Sequence, residues 1–408
     1  MTAGTSSFFQ SIARSASDWL RDRMWDCMTF LSHSGIRLTG HAVPEKQAGG
    51  PGRLFVYLHR NGAVDSLVLR KLFPGALFLT SVQWHQSAFM RWYIGGIPVS
   101  RGKDRSRGMA ADNREAMRRC AEALLRGRDV FLSPEGTSRL GPGHFPFHKS
   151  AARIALQALA ESGGRAPLTV IPLSPVYVEA WTYRSPMEVY VGQSLSLRGD
   201  STLSEAHKAI CAALERITLD APDRETLMKR QRAAYSLSRL GGIPFSAVML
   251  EWPAEELDAL AAAHERTAAV LPRAAAAYGS VCVPAHGNFP SHVPACLAHR
   301  LARFLAFPAL ALASRIRNKV TDGDNVVAIW RAFIDLPLCL VWLLIAGGAL
   351  SLLFRPWAGL VPAAICAAGL ALAHTARCRR AAFHLRRTAG NAAITNFTQR
   401  MENSHDTR

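Results

Sequence analysis

Leu54-Phe-Val-Tyr-Leu58 is a short apolar run that breaks off at His59, and the residues after it narrow the folds open to this chain. The run reads as a strand and Asn61-Gly62 as the turn after it. Asp65-Ser66 then stands where a helix N-cap belongs, ahead of the apolar stretch Leu67-Val-Leu69. A histidine is thereby placed at a strand's end and a carboxylate at the start of the next helix. In α/β folds such positions collect ligands and catalytic groups. A carboxylate beside an imidazole fixes its tautomer and stabilises the imidazolium, so the ring can take a proton from a hydroxyl. The same residues also suit an N-capping Asp with an unrelated His, and the run alone leaves both readings open.

Strand-like and helix-like patterns keep alternating around this unit. Residues 36–40, 76–80, 130–133, 168–177 and 187–191 read as strands, the fourth broken by its prolines. Residues 109–126 and 148–160 have helical spacing. The alternation predicts an α/β domain with a mostly parallel central sheet flanked by helices. Residues 8–31 form an amphipathic helix, apolar at Phe9, Ile12, Ala16, Trp19 and Leu20, which suits a membrane interface or packing on the domain. Beyond residue 203 strands become sparse. Residues 203–219, 224–240, 254–278 and 297–319 are helical, the last with Pro308 inside it, and 281–294 is a Pro/His/Gly loop.

Two apolar runs, 336–354 and 357–373, are 19 and 17 residues long and are separated by Arg355-Pro356. Each is near the minimum for crossing a bilayer. Basic residues crowd both outer ends, among them Arg315, Arg317, Lys319, Arg379, Arg380 and Arg386, which places both ends in the cytosol and makes the pair a membrane hairpin. A buried helical pair in a soluble bundle is the alternative. The expected organisation is an N-terminal amphipathic helix over 1–35, a catalytic domain over 36–202 and a helical region over 203–330. The hairpin over 331–380 and a basic, polar tail over 381–408 complete it.

With 48 Lys and Arg against 30 Asp and Glu, the net charge of +18 asks for an anionic partner. No nucleic-acid signature accompanies it, so a phosphorylated substrate and an anionic membrane leaflet are expected and nucleic acid is not. The eight cysteines are scattered, with no Cys-x-x-Cys, which fits a reduced, cytosol-facing chain. Residues 1–30 lack a signal-peptide pattern. His286, His292 and His299 lack a metal-like spacing, and neither a metal nor a bound cofactor is expected.

Four blocks resemble, in order and spacing, those of the lysophospholipid and glycerol-phosphate acyltransferase family. They are His59 to Asp65, Gly95-Gly-Ile-Pro-Val-Ser-Arg101, Leu132-Ser-Pro-Glu-Gly-Thr137 and Val170-Ile-Pro172. The run Lys149-Ser-Ala-Ala-Arg-Ile-Ala-Leu156 is similar to the family's helix after the third block, and the resemblance covers roughly residues 50–195. The segment from Lys319 to Trp330, with the apolar pair behind it, is similar to the tail of the fungal-type glycerol-3-phosphate/dihydroxyacetone-phosphate acyltransferase branch and its bacterial relatives. This resemblance implies a glycerol-3-phosphate acyltransferase-like fold on a membrane, with the catalytic domain facing the cytoplasm. It implies transfer of a fatty acyl group, in phospholipid synthesis, from an acyl thioester to glycerol 3-phosphate or dihydroxyacetone phosphate. The thioester, acyl-CoA or acyl-carrier protein, would be a co-substrate. Acylation of 1-acylglycerol 3-phosphate to phosphatidate uses the same blocks, and a catalytically silent lipid-binding protein is the reading from another class.

By the same resemblance His59 is the general base and Asp65 its orienting partner. Arg101 meets the phosphate, and Arg139 is a second candidate for it. Glu135 helps place the glycerol hydroxyls, or is a carboxylate that caps its loop or pairs with an Arg. Gly136 allows close backbone approach, and the N–H groups around it and Thr137 can meet an anion. Pro172 shapes the acyl tunnel, or merely ends a strand. Lys103, Arg105 and Arg107 line one face if their stretch is extended, and a solvated basic loop fits them equally well. The family places four residues between its His and Asp, whereas here there are five. One extra residue turns a helical position by about 100°, so the turn must be rebuilt if Asp65 is to reach His59. Leu58 and Ser133 stand where the family has Asn and Phe, and the basic residue after the Thr is displaced to Arg139.

Overall fold

The computed structural model describes residues 3–46, 48–163, 167–178, 180, 184–241, 243–270, 293–321, 323 and 326–372. The expected tail over 381–408 and most of the loop over 281–294 lie outside them.

Eight strands form one sheet: β1 (His33–Gly40), β2 (Leu54–Tyr57), β3 (Leu77–Ser81), β4 (Ile97–Val99), β5 (Val130–Leu132), β6 (Leu168–Tyr177), β7 (Ser185–Val191) and β8 (Leu195–Leu197). Their order is β1-β7-β6-β2-β5-β3-β4, with β8 also on β6. The run from β6 to β4 is parallel, whereas β7 and β8 are antiparallel to β6 and β1 follows β7. The expected mostly parallel sheet is thus a mixed one with a parallel centre. β2 lies between β5 and β6, and all four of its side chains are buried. A strand covered on both faces has no polar side, which is why an unbroken apolar run precedes His59.

β6 runs unbroken through Pro172 and Pro175, contrary to the expected interruption. Proline is tolerated in a strand where its missing N–H faces no partner. The Pro172 carbonyl accepts from Gly192 N–H at 2.9 Å, on the side where β7 has ended and β8 has not begun. Leu173, whose carbonyl accepts from Leu58 N–H at 3.0 Å, faces the other side. Pro175 shares that side by the period of two and falls beyond the end of β2.

Helices cover both faces. On one pack α5 (Asn113–Leu125), α6 (Ser150–Glu161) and α7 (Leu203–Glu215), with Cys120, Leu124, Ile154, Ile210 and Leu214 against Leu54, Val56 and Val170. On the other pack α1 (Ala3–Ser32), α2 (Gly62–Leu72) and α3 (Ala88–Ile94), through Trp25, Met28, Val68, Leu69 and Tyr93 against Phe55, Tyr57 and Ile171. α1 therefore packs on the domain through its C-terminal half, although Trp19 stays 64% exposed. Residues 102–105 form the short helix α4, so the stretch of Arg105 and Arg107 is not extended. Beyond the sheet, α8 (Arg224–Gly241), α9 (Phe245–Glu251) and α10 (Ala254–Val270) build a smaller cluster around Val176, Leu237, Val248 and Leu257.

The helix expected over 297–319 is two helices, Val293–Leu305 and Phe307–Val320, and Pro308 sits in the first turn of the second. There its missing N–H has no helical acceptor to lose. The helix over Val327–Leu353 is long and apolar enough to cross a membrane, whereas the apolar helix over Pro356–Leu372 is shorter. Of the two expected spans, one reaches spanning length. Its first residues dock on the α1 to α3 face, Phe333 edge-on to Tyr93 at 5.7 Å and Trp330 at 6.5 Å from Trp84.

Candidate active site

β2, β5, β3, β4 and β6 end at the same edge of the sheet, and most of the candidate residues collect there. His59 follows β2 by two residues, and its ring stands edge-on to Tyr57 at 5.5 Å. The chain then turns through Arg60 and Asn61 into α2, with Gly62 at φ 47°. A positive φ there favours glycine, and this turn absorbs the additional residue between His59 and Asp65. Asp65 is not the N-cap that the spacing suggests. Asn61 caps α2 without a side-chain bond, and Asp65 lies within the first turn, where a carboxylate still faces the positive end of the helix.

From that turn the Asp65 carboxylate reaches back. Its Oδ2 accepts from His59 Nδ1 at 2.8 Å, from Arg60 N–H at 2.7 Å and from Asn61 N–H at 2.9 Å, and Oδ1 accepts from the Tyr177 hydroxyl. The Asp65 side chain is fully buried, whereas that of His59 is 18% exposed. A buried carboxylate requires such donors. A ring nitrogen that faces a carboxylate carries its proton, so Nδ1–H leaves Nε2 with the lone pair a general base needs. The five-residue spacing thus still yields a His–Asp pair.

Tyr177, at the end of β6, is the residue the sequence reading missed. Burial pushes its phenol well above the ordinary range, and the Asp65 charge adds to this, so the hydroxyl remains a donor. Behind it His33 Nδ1–H donates to the Ser185 carbonyl over 3.2 Å, and the ring lies 5.7 Å from that of Tyr177. Burial lowers the His33 pKa to about 4.

Glu135 follows β5 and spans two loops. Its Oε1 accepts from His59 N–H and its Oε2 from Phe145 N–H, both at 2.8 Å. Burial pushes its carboxyl upward against these bonds and against the nearby His59 and Arg60. Glu135 thereby fixes the backbone that carries His59. Gly136, at φ 66°, makes the turn after it together with Thr137. Arg139 N–H donates to the His59 carbonyl at 2.8 Å, and its guanidinium lies over the Phe145 ring at 5.5 Å.

Arg101 follows β4, three inter-strand spacings from β2, which is about 14 Å. Its Nε and Nη2 form a fork on the buried Asp104 at 2.8 and 2.9 Å, and Nη2 also donates to Ser81 Oγ at 2.9 Å. Burial alone would raise the Asp104 carboxyl, but the bonds from Arg101 bring it down to about 2. Arg101 is thus on the same edge as His59 but anchored to its own loop. Pro172 is not brought to the pair: it is buried within β6, on the face where Ile217 packs.

Residues 36–179 match the family model described as Acyltransferase. No curated protein matches the chain. The chain is similar to the crystal structure of the 1-acyl-sn-glycerophosphate (LPA) acyltransferase, PlsC, from Thermotoga maritima, at 18% identity and a TM-score of 0.37, over 52% of this chain and 86% of that one. The segment that matches the Acyltransferase model runs from β1 to the end of β6 and holds the His59–Asp65 pair.

Proposed function

We propose that the chain is a membrane-bound O-acyltransferase that moves a fatty acyl group from an acyl thioester to a hydroxyl of glycerol 3-phosphate or its dihydroxyacetone form, in phospholipid synthesis. The contact between His59 Nδ1 and Asp65 Oδ2 at 2.8 Å carries this reading. His59 Nε2 takes the proton of the acceptor hydroxyl as its oxygen attacks the thioester carbonyl. The new C–O bond forms, the C–S bond breaks, and the imidazolium returns the proton to the leaving thiolate. The acceptor alcohol stands where a serine stands in a Ser-His-Asp triad, so no acyl-enzyme is needed. The silent lipid-binding alternative draws on the five-residue spacing and on Leu58 in place of the family's Asn; the 2.8 Å contact of Asp65 with His59 weighs against the first of these.

The sheet edge is rich in cations that suit a phosphorylated acceptor: Arg101 and Arg139 by resemblance, and Arg60 by position. The apolar helices over Val327–Leu353 and Pro356–Leu372 would form the hairpin that keeps the catalytic domain against a cytoplasmic, anionic leaflet. Each Lys or Arg near such a surface adds about 1 kcal/mol. Acyl-CoA or acyl-carrier protein would be the donor. Acylation of 1-acylglycerol 3-phosphate is the related reaction that the same geometry serves.

The test is to supply the purified full chain in detergent with labelled acyl-CoA, then with acyl-carrier protein as donor, and to offer the two acceptors separately. Incorporation into glycerol 3-phosphate is expected. Incorporation only into 1-acylglycerol 3-phosphate would transfer the assignment to phosphatidate formation. No incorporation with either donor and either acceptor would refute the proposed activity.

A further inference from the structure

Between the end of β6 and α8 lies an open cavity that is lined not by His59 or Asp65 but by residues adjoining them. Tyr177 lines it, and the Tyr177 hydroxyl is the one that donates to Asp65. Arg60, the residue after His59, lines it from the other side. α8 contributes Arg224, Leu227, Met228 and Gln231, spaced by three and four residues along one helix face, and then Arg232. Among the described lining residues there are three Arg and no Asp or Glu.

Arg60 is the unusual member of this set. It is 4% exposed. Among the described residues its guanidinium bonds to two backbone carbonyls, Gly143 O and Leu140 O, both at 3.3 Å. These are long for N–H···O bonds, and no described carboxylate comes within ion-pair distance of it. Burial pulls its pKa down, although the fields of Asp65 and Glu135 oppose this. A buried cation met only by neutral acceptors is costly unless an anion joins it. A guanidinium has five donors in a planar fork, and phosphate oxygens match that fork. Leu227, Met228 and Leu140 give the same cavity an apolar wall, which suits an amphiphilic phosphate ester.

We propose that Arg60, Arg224 and Arg232 jointly form a phosphate site, which holds a phosphate group of one reactant next to the His59–Asp65 pair. This rests on the acyltransferase reading above and gives the helices beyond the sheet a part in the reaction. The shared chemistry is a phosphate monoester, and both the glycerol phosphate acceptor and the 3′-phosphate of acyl-CoA carry one.

The experiment uses the full chain in detergent, as wild type, as the double variant Arg224→Ala/Arg232→Ala, and as Arg224→Lys/Arg232→Lys. KM and kcat are measured for the acceptor, for acyl-CoA and for acyl-dephospho-CoA, with Tm as a control for folding. The double Ala variant should raise one KM by about 10- to 100-fold, the loss of one or two charge-assisted contacts, and leave kcat within about threefold. The Lys variant should recover much of the loss. A shift in acceptor KM places the acceptor's phosphate in the cavity. A shift for acyl-CoA that is absent for acyl-dephospho-CoA places the donor's there. If the wild type is active and the double Ala variant keeps both KM values within about twofold at unchanged Tm, the site is refuted. If the wild type transfers no acyl group, the activity reading fails, while the cavity is judged separately. Glycerol 3-phosphate or CoA must then raise the Tm of the wild type and not of the double Ala variant, and a failure of both would refute the site.

Discussion

Asp65 is a carboxylate without access to water, and four donors meet it: the His59 ring, two backbone N–H groups and the Tyr177 hydroxyl. The two N–H groups belong to the turn itself, so the bond that aims Asp65 at His59 is made by the segment that holds the extra residue. The fourth donor is removable. Tyr177→Phe deletes one hydrogen bond to a charged group, worth about 1.5–3 kcal/mol. Steady-state kinetics should show kcat down by about 10- to 100-fold with both KM values nearly unchanged; an unaltered kcat would mean that Asp65 is held without Tyr177. His33 gives a second test at this scale. Its folded pKa of about 4 lies below the ordinary 6.5, so its contribution to stability is complete above 6.5 and is lost as pH falls toward 4. Denaturant unfolding across that range should cost the wild type on the order of 3 kcal/mol more than His33→Gln. That His59 and Asp65 could meet was legible in the sequence, because the block that holds them is local. Tyr177 was not legible, since it lies 112 residues from Asp65 and meets it only through the pairing of β6 with β2. Nor was the grip of Asp104 on Arg101, because it depends on α4 forming where an extended strand was equally consistent with the charges.

At the scale of elements, apolar runs and helical periods were legible and short mixed segments were not. β2 and β5 announced themselves by apolar runs, and α5, α6 and α7 by their period. β8 and α9 span three and seven residues, too few for a period to show. β6 was misjudged because a proline's effect depends on which side of the strand its nitrogen faces, and that depends on where β7, β8 and β2 end. The same dependence on neighbours governs the apolar helices near the C-terminus. A Cβ on Gly347 would stand 2.6 Å from the Gly359 carbonyl oxygen, whereas one on Gly348 would meet nothing within 4 Å. Gly347→Leu must therefore part the two helices, while Gly348→Leu need not. In detergent the first should lower Tm, at an overpacking cost of about 1–3 kcal/mol, and the second should leave it nearly unchanged. Equal effects would show that the two helices do not pack at Gly347.

For the whole molecule, the layered sheet explains why the site is where it is. Five parallel strands deliver their ends, and the loops after them, to one edge, so His59 and Glu135, far apart in sequence, meet there. The first residues of the spanning-length helix pack on the face that carries α2, which ties that helix to the side of the sheet from which Asp65 projects. Leu344 lies near the middle of Leu336–Leu353 and is 76% exposed. If this helix sits in lipid, Leu344→Lys costs about 2.5–3.5 kcal/mol of insertion free energy, and the variant should float less with anionic vesicles than the wild type. Equal flotation would place the helix outside the bilayer. In the proposed reaction His59, oriented by Asp65, takes the proton of the acceptor hydroxyl. The measurement that addresses it most directly is acyl transfer by purified His59→Ala beside the wild type, on whichever acceptor the wild type uses, with Tm confirming that the variant folds. General-base catalysis contributes about 100- to 10,000-fold, so a loss of that size in kcat with little change in KM is the predicted result. A folded His59→Ala that retains the wild-type rate would contradict it.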